Sequence, residues 1–189
     1  NDIEYLKLLR SVRVSLKNAL GNKMYNSYIN IINQAGTDKN RFLNELLQNA
    51  DDCRYPEGEI PTFDFRISSS GNNSVITVTY NELGFTKQNV RAITAIGEST
   101  KKLLLDGKDN SIGEKGVGFK SVFGVAESVE IHSNGFDFVL NDKTPTVPDK
   151  CGALKEGQAK GTTLVFKMKQ DISQALKEDK ILRLCLCLR

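Results

Sequence analysis

The hydrophobic period of this chain changes near residue 62, and that change limits the folds open to it. Before it, apolar residues recur at helical spacing. Ile3, Leu6, Leu9, Leu16 and Leu20 form one amphipathic stretch over 2–20, closed by Gly21. A second helix is expected over about 23–35, ending at Gly36. A third covers 40–53, "NRFLNELLQNADDC", with Phe42, Leu43, Leu46, Leu47 and Ala50 on one side. After a turn-rich link over 55–61, "TFDFRI" and "SVITVTY" alternate with period two, joined by "SSSGNN". "KQNVRAITAI" reads as a short helix, and residues 97–116, with four glycines, as a mobile loop. "GFKSVFGVA" starts another helix, "SVEIHS", "FDFVL" and "TTLVFKMK" are strands, and "ISQALKEDKILRLCLCL" is a closing helix. Helices first and strands after predict an α+β fold. The form expected is a two-layer sandwich of a mixed, mainly antiparallel sheet with helices on one face.

Composition narrows the function classes. The 189 residues suit one domain able to bury a real core. A net charge of +3 does not indicate nucleic acid. No apolar run is long enough to cross a bilayer, and the chain opens on charged residues rather than a leader. Cys53, Cys151, Cys185 and Cys187 form no paired C-x-x-C motifs, and His132 is the single histidine. That spacing argues against a zinc site and against Ser-His-Asp or Cys-His chemistry. His132 lies in the alternating "VEIHSNGF" and reads as structural. Free thiols point to a reducing intracellular compartment, cytoplasmic or nuclear. The abrupt ends at Asn1 and Arg189 suggest a domain cut from something longer.

The stretch "IGEKGVGFKS" is almost a P-loop. Gly113 and Gly118 have Walker spacing, but Phe119 stands before Lys120 and Ser121. The segment before it, "KKLLLDGKDNS", is also no buried strand. What remains is G-x-x-G-x-G at Gly113, Gly116 and Gly118 leading into a helix. Such a run lets backbone N–H groups approach an anion, and it also arises as a plain turn. In "ELLQNADD", Glu45, Asn49 and Asp52 are spaced i, i+4, i+7 on one helix face. An amide oxygen there can ligate Mg²⁺ and a carboxylate can activate water, although a solvated helix face has the same pattern.

"ELLQNADD", "NELGFT", "IGEKGVGFKSVFGVAE" and "GTTLVF" stand in the order of the four motifs of the GHKL ATPases, over about residues 40–170. "QNADDCRYPEG", "IGESTKK", "FKSVF" and "EIHSNGF" are most similar to the NO VEIN and sacsin type of that superfamily. The resemblance implies a Bergerat-fold domain that binds ATP or ADP with Mg²⁺. It implies Glu45 as general base, Asn49 as the Mg²⁺ ligand and Asp52 on the adenine side. Gly113, Gly116 and Gly118 would bring N–H groups to the phosphates, with Val117 and Phe119 packed behind. Thr162 would bind near adenine, and Ser99, Thr100 and Lys101 would belong to a lid over 97–116.

One motif departs from the family. Where D-x-G-x-G is usual, this chain has "TYNELGF", which keeps Gly84 but lacks the Asp. Tyr80 or Asn81 takes that position, and Asn81 can offer an amide oxygen to the base. The functional expectation is a slow ATPase module that drives conformational change in a larger protein. Its partners would be downstream domains of the same chain and, in some nucleotide states, a second copy. One of those domains would supply a catalytic cation, with Lys101, Lys115 and Lys120 as nearby alternatives. The competing reading is a nucleotide-binding interaction module without significant hydrolysis. A histidine kinase fits worse, because His132 in a strand is a poor phosphoacceptor.

Overall fold

In a computed structural model of the chain, residues 1–36, 39–70, 73–96, 118–154 and 161–170 are described. Helix α1 spans Asp2–Ala35 and is capped by the Asn1 side chain, which accepts from the Ile3 N–H at 2.9 Å. Gly21 breaks it at φ 75°, ψ 159°, so the two expected helices are present and meet at that glycine. Helix α2 is Lys39–Asp51. Strands β1 (Phe63–Ser70) and β2 (Asn73–Tyr80) follow, then α3 (Lys87–Ile93) with a Thr86–Asn89 capping box. The helix expected in "GFKSVFGVA" is a 3-10 helix, Phe119–Gly124. Strands β3 (Ala126–Ser133), β4 (Phe136–Asn141), β5 (Thr144–Lys150) and β6 (Thr162–Met168) complete the described elements.

The six strands form one sheet in the order β1-β2-β6-β3-β4-β5. Among the described residues every pairing in it is antiparallel, in line with the mainly antiparallel sheet expected. Strand β5, "TPTVPDK", escaped the sequence reading because Pro145 and Pro148 argue against a strand. Both prolines are tolerated because β5 is an edge strand, where an N–H on the outer side has no ladder partner to lose.

Alternation along β2 and β4 turns one sheet face inward. Ile76, Val78, Val129, Ile131, Phe138, Leu140, Leu164 and Phe166 meet Tyr25, Tyr28, Ile32, Phe42, Leu46 and Ala50 of the helices in one core. The result is the two-layer α+β sandwich expected. The 3-10 helix is wedged between α1 and α2, and its Phe123 and Val122 are buried. There Gly36 and Gly124 let two backbones nearly touch: a Cβ on Gly36 would lie 1.8 Å from the Ser121 carbonyl oxygen. This packing holds residue 118 against α2.

Candidate functional site

Phe42, Leu43, Leu46 and Ala50 bury one stripe of α2. Glu45 and Asn49 sit half-buried beside that stripe, rather than opposite it. They share a small crevice with Phe42, Leu46, Gly118, Phe119, Ser121 and Val122. A Cβ on Gly118 would lie 2.5 Å from a Glu45 carboxylate oxygen, so glycine lets the chain pass that close without displacing the Glu45 side chain. The fold therefore brings together Glu45, Asn49, Gly118 and Phe119. Ser99, Thr100, Lys101, Gly113, Lys115, Gly116 and Val117, and with them the expected lid, lie outside the described residues. So does the expected closing helix.

Lys120 is not placed as a Walker lysine. It is buried, and its ammonium donates to the Ala95 carbonyl at 2.5 Å. Burial, with the Arg13 charge second, pulls its pKa down to about 7.

The C-terminal end of α2 leads to a second cluster. From Glu45 to its end at Asp51 the helix rises about 9 Å. Asp52 lies just past the end of α2, exposed, with its N–H donating to the Gln48 carbonyl at 2.9 Å. Asn81 does not face this cluster. Its amide oxygen accepts from the Thr62 N–H at 2.8 Å, and its NH₂ donates to the Ile60 carbonyl at 3.0 Å and toward Glu59 at 3.4 Å. Glu82 takes the inward place: it is 7% exposed, and the fully buried Thr162 hydroxyl donates to its carboxylate.

A directed chain of hydrogen bonds ends on that carboxylate. The Phe85 N–H donates to Ser133 Oγ at 2.7 Å, and Ser133 Oγ lies 2.5 Å from Thr162 Oγ1. Thr162 has one proton and gives it to Glu82, so Ser133 must donate to Thr162. Burial, Glu82 and Asp52 push the Cys53 thiol up to about 11. Burial first, with Cys53 and Glu82 after it, raises Tyr80 well above its ordinary value. Gly84 and Gly161 make the cluster possible. Gly84 has φ +84° and packs on Asn134, and a Cβ on Gly161 would lie 2.0 Å from the Tyr80 carbonyl oxygen.

Sequence reasoning missed Glu82 and Ser133 as neighbours of Thr162. A signal was present, since continuing the β2 alternation from Ile76, Val78 and Tyr80 turns residue 82 inward and 81 outward.

Comparison with known proteins assigns the domain. The sacsin-domain family model matches residues 22–185. The chain belongs to the sacsin-domain family. This sacsin domain is 50% identical over 97 residues to Protein NO VEIN of Arabidopsis thaliana, covering 51% of this chain and 3% of that protein. It is 28% identical over 178 residues to an endoplasmin homolog of Hordeum vulgare, covering 80% of this chain and 22% of the relative. It is also 28% identical over 188 residues to the chaperone protein HtpG of Desulfitobacterium hafniense, covering 82% and 29%. The chain thus spans under a third of the length of each of these relatives. With the antiparallel sheet and its helical layer, they place it in the Bergerat-type, GHKL-like fold. Among the described residues, no helix is long and apolar enough to cross a membrane.

Proposed function

We propose that this sacsin domain binds ATP with Mg²⁺ along α2 and hydrolyses it slowly, as a chaperone-like ATPase module of a larger protein. The observation that carries the reading is a pair of clusters: Glu45 and Asn49 of α2 against Gly118, and Glu82–Thr162–Ser133 beyond the C-terminal end of the same helix. The donor set fits a Mg²⁺-nucleotide. Asn49 offers a neutral amide oxygen of the kind that shares a hard ion with phosphate oxygens. Mg²⁺ would supply charge neutralisation on the phosphates. Glu45 is the group to orient and deprotonate the attacking water, and Gly118 leaves room for a backbone approach. Asp52 lies exposed just outside the base cluster, beside Cys53.

Base selection falls to Glu82 in this reading. Adenine presents an amino donor at C6 where guanine presents a carbonyl acceptor, so a carboxylate ending a hydrogen-bond chain favours adenine. Slow turnover follows from the cations. Lys120 is engaged with Ala95, and a cation from another domain would stabilise charge on the γ-phosphate. Such downstream domains, and a nucleotide-dependent second copy, are the partners proposed.

Calorimetric titration of wild type and Asn49→Ala with ATP, with and without Mg²⁺, tests the reading. Wild type should bind more tightly with Mg²⁺, and Asn49→Ala should lose that gain while remaining folded, because Ala is a good helix former. Equal Mg²⁺ enhancement in both proteins refutes it. Binding without turnover in any Mg²⁺-ATP assay would select the interaction-module reading instead.

A further inference from the structure

On the other side of β3 lies a group of side chains that the nucleotide reading does not use. His132 alternates with the core residues Ile131 and Ser133, and so points to the sheet face away from the core. It is nevertheless only 3% exposed. Its Nδ1 lies 2.7 Å from the Asp137 carboxylate, its cross-strand partner in the β3–β4 hairpin. Its buried Nε2 has no hydrogen-bond partner. Buried polar atoms are nearly always satisfied, so an exception needs a cause.

Around that nitrogen stand two further donors. Glu130, two residues earlier on the same face, holds a carboxylate oxygen 3.5 Å from Nε2. Cys151 arrives from the end of β5, where Lys150 pairs with Phe138 and so brings residue 151 beside Asp137. The carboxylate oxygen, the imidazole nitrogen and the Cys151 sulfur all lie within 4.8 Å of one another. Tetrahedral zinc with its usual bond lengths sets neighbouring donors about 3.3–3.6 Å apart. The Glu130–His132 separation is already there, and the thiol needs a shift of about 1 Å.

We propose that Glu130, His132 and Cys151 bind one zinc-type divalent transition ion, with water completing the tetrahedron. Asp137 has the role of the carboxylate that orients a metal-bound histidine. Taking the Nδ1–H, it leaves the Nε2 lone pair directed at the ion and fixes the tautomer. A mixed sulfur, nitrogen and oxygen set selects zinc-type ions over Mg²⁺ or Ca²⁺. The metal–sulfur bond forms as the Cys151 thiol releases its proton to solvent. Bound metal would tie the segment after edge strand β5 to central strand β3. The sequence argued against zinc because it has no paired C-x-x-C motifs and one histidine; His132 and Cys151 are 19 positions apart and only the strand register joins them.

The test is metal titration of the 189-residue chain after chelator treatment, with Cys185 and Cys187 changed to Ser so that they bind no metal themselves. Zn²⁺ should bind one per chain in competition with a chromophoric chelator, and raise the melting temperature. Co²⁺ should give thiolate-to-cobalt charge-transfer absorption. Cys151→Ser should abolish that band, and Asp137→Asn should weaken Zn²⁺ binding about 10–100-fold. Far-UV circular dichroism checks that each variant is folded. No stoichiometric Zn²⁺, Co²⁺ bound without the charge-transfer band, or wild-type Zn²⁺ affinity in Cys151→Ser would each overturn the proposal.

Discussion

Replacing Gly36 with alanine should cost about 3 kcal/mol, through one contact that no side-chain rotation can relieve. Gly36 caps α1 at φ −98°, ψ 11°, a conformation open to any residue. On backbone grounds alone the change would stabilise the fold by roughly 0.4–1 kcal/mol, by restricting the unfolded chain. The packing opposes this. The new Cβ would meet the Ser121 carbonyl oxygen at 1.8 Å, and Gly124 Cα and N at 2.8 Å. All three are backbone atoms, so the seam between α1 and the 3-10 helix must open by about 1.2 Å for that Cβ–oxygen contact to reach 3.0 Å. A gap of roughly 0.5–1 Å already forfeits a quarter to a half of the dispersion attraction across it. Ile32, Val122 and Phe123 are buried around that seam. Overpacking of about 1–3 kcal/mol and this loosening together outweigh the entropic gain. For a domain this size the loss corresponds to a melting temperature lower by about 6–12 °C. Thermal unfolding by far-UV circular dichroism measures it against Gly152→Ala, whose Cβ would meet nothing within 4 Å. That control should stay within about 0.5 kcal/mol of wild type. If Gly36→Ala melts with the control, the close approach is not what holds the 3-10 helix in place.

Gly118→Ala should separate chemistry from folding. The Cβ would strike a Glu45 carboxylate oxygen at 2.5 Å, and that side chain can swing away. Stability should change by less than about 1 kcal/mol while hydrolysis falls about 10²-fold, read by phosphate release; unchanged turnover would remove Glu45 from the chemistry. Glu82→Gln should narrow the ATP-over-GTP preference in competitive binding while Asn81→Ala leaves it alone, and the opposite pattern would return base reading to Asn81. Stability should also depend on pH through Lys120. Its folded pKa, about 7, lies below the ordinary 10.5, so between these values the unfolded chain binds more protons and stability rises with pH. Above about pH 9 the thiols work the other way. Cys53 and Cys151 are pushed up to about 11 and about 12 from 9.0, so stability falls as the unfolded thiols ionise. Denaturant melts at pH 7 and pH 9 should therefore show a gain in wild type that Lys120→Met lacks, and an equal gain in both would place its source elsewhere.

Local pattern was enough for the elements. The 3.6-residue spacing of Phe42, Leu43, Leu46 and Ala50 marked the buried stripe of α2, and Gly21 marked the break in α1. These are decided within one or two turns of chain, where backbone sterics and side-chain periodicity act on neighbours. The pairing of "ELLQNADD" with Gly118 was legible only through the motifs' order, since no spacing rule links residue 45 to residue 118. Tertiary structure decided which side chains meet. It turned Asn81 outward to residues 59–62 and Glu82 inward to Thr162, because strand alternation and the Gly161–Tyr80 contact fix that register. It also made β5 a strand despite its prolines, because an edge position needs no ladder hydrogen bond on its outer side. And it set Glu130, His132 and Cys151 side by side through two strand pairings. Contacts between residues distant in the chain depend on register and on backbones close enough to touch, and neither is encoded in the spacing of any single segment.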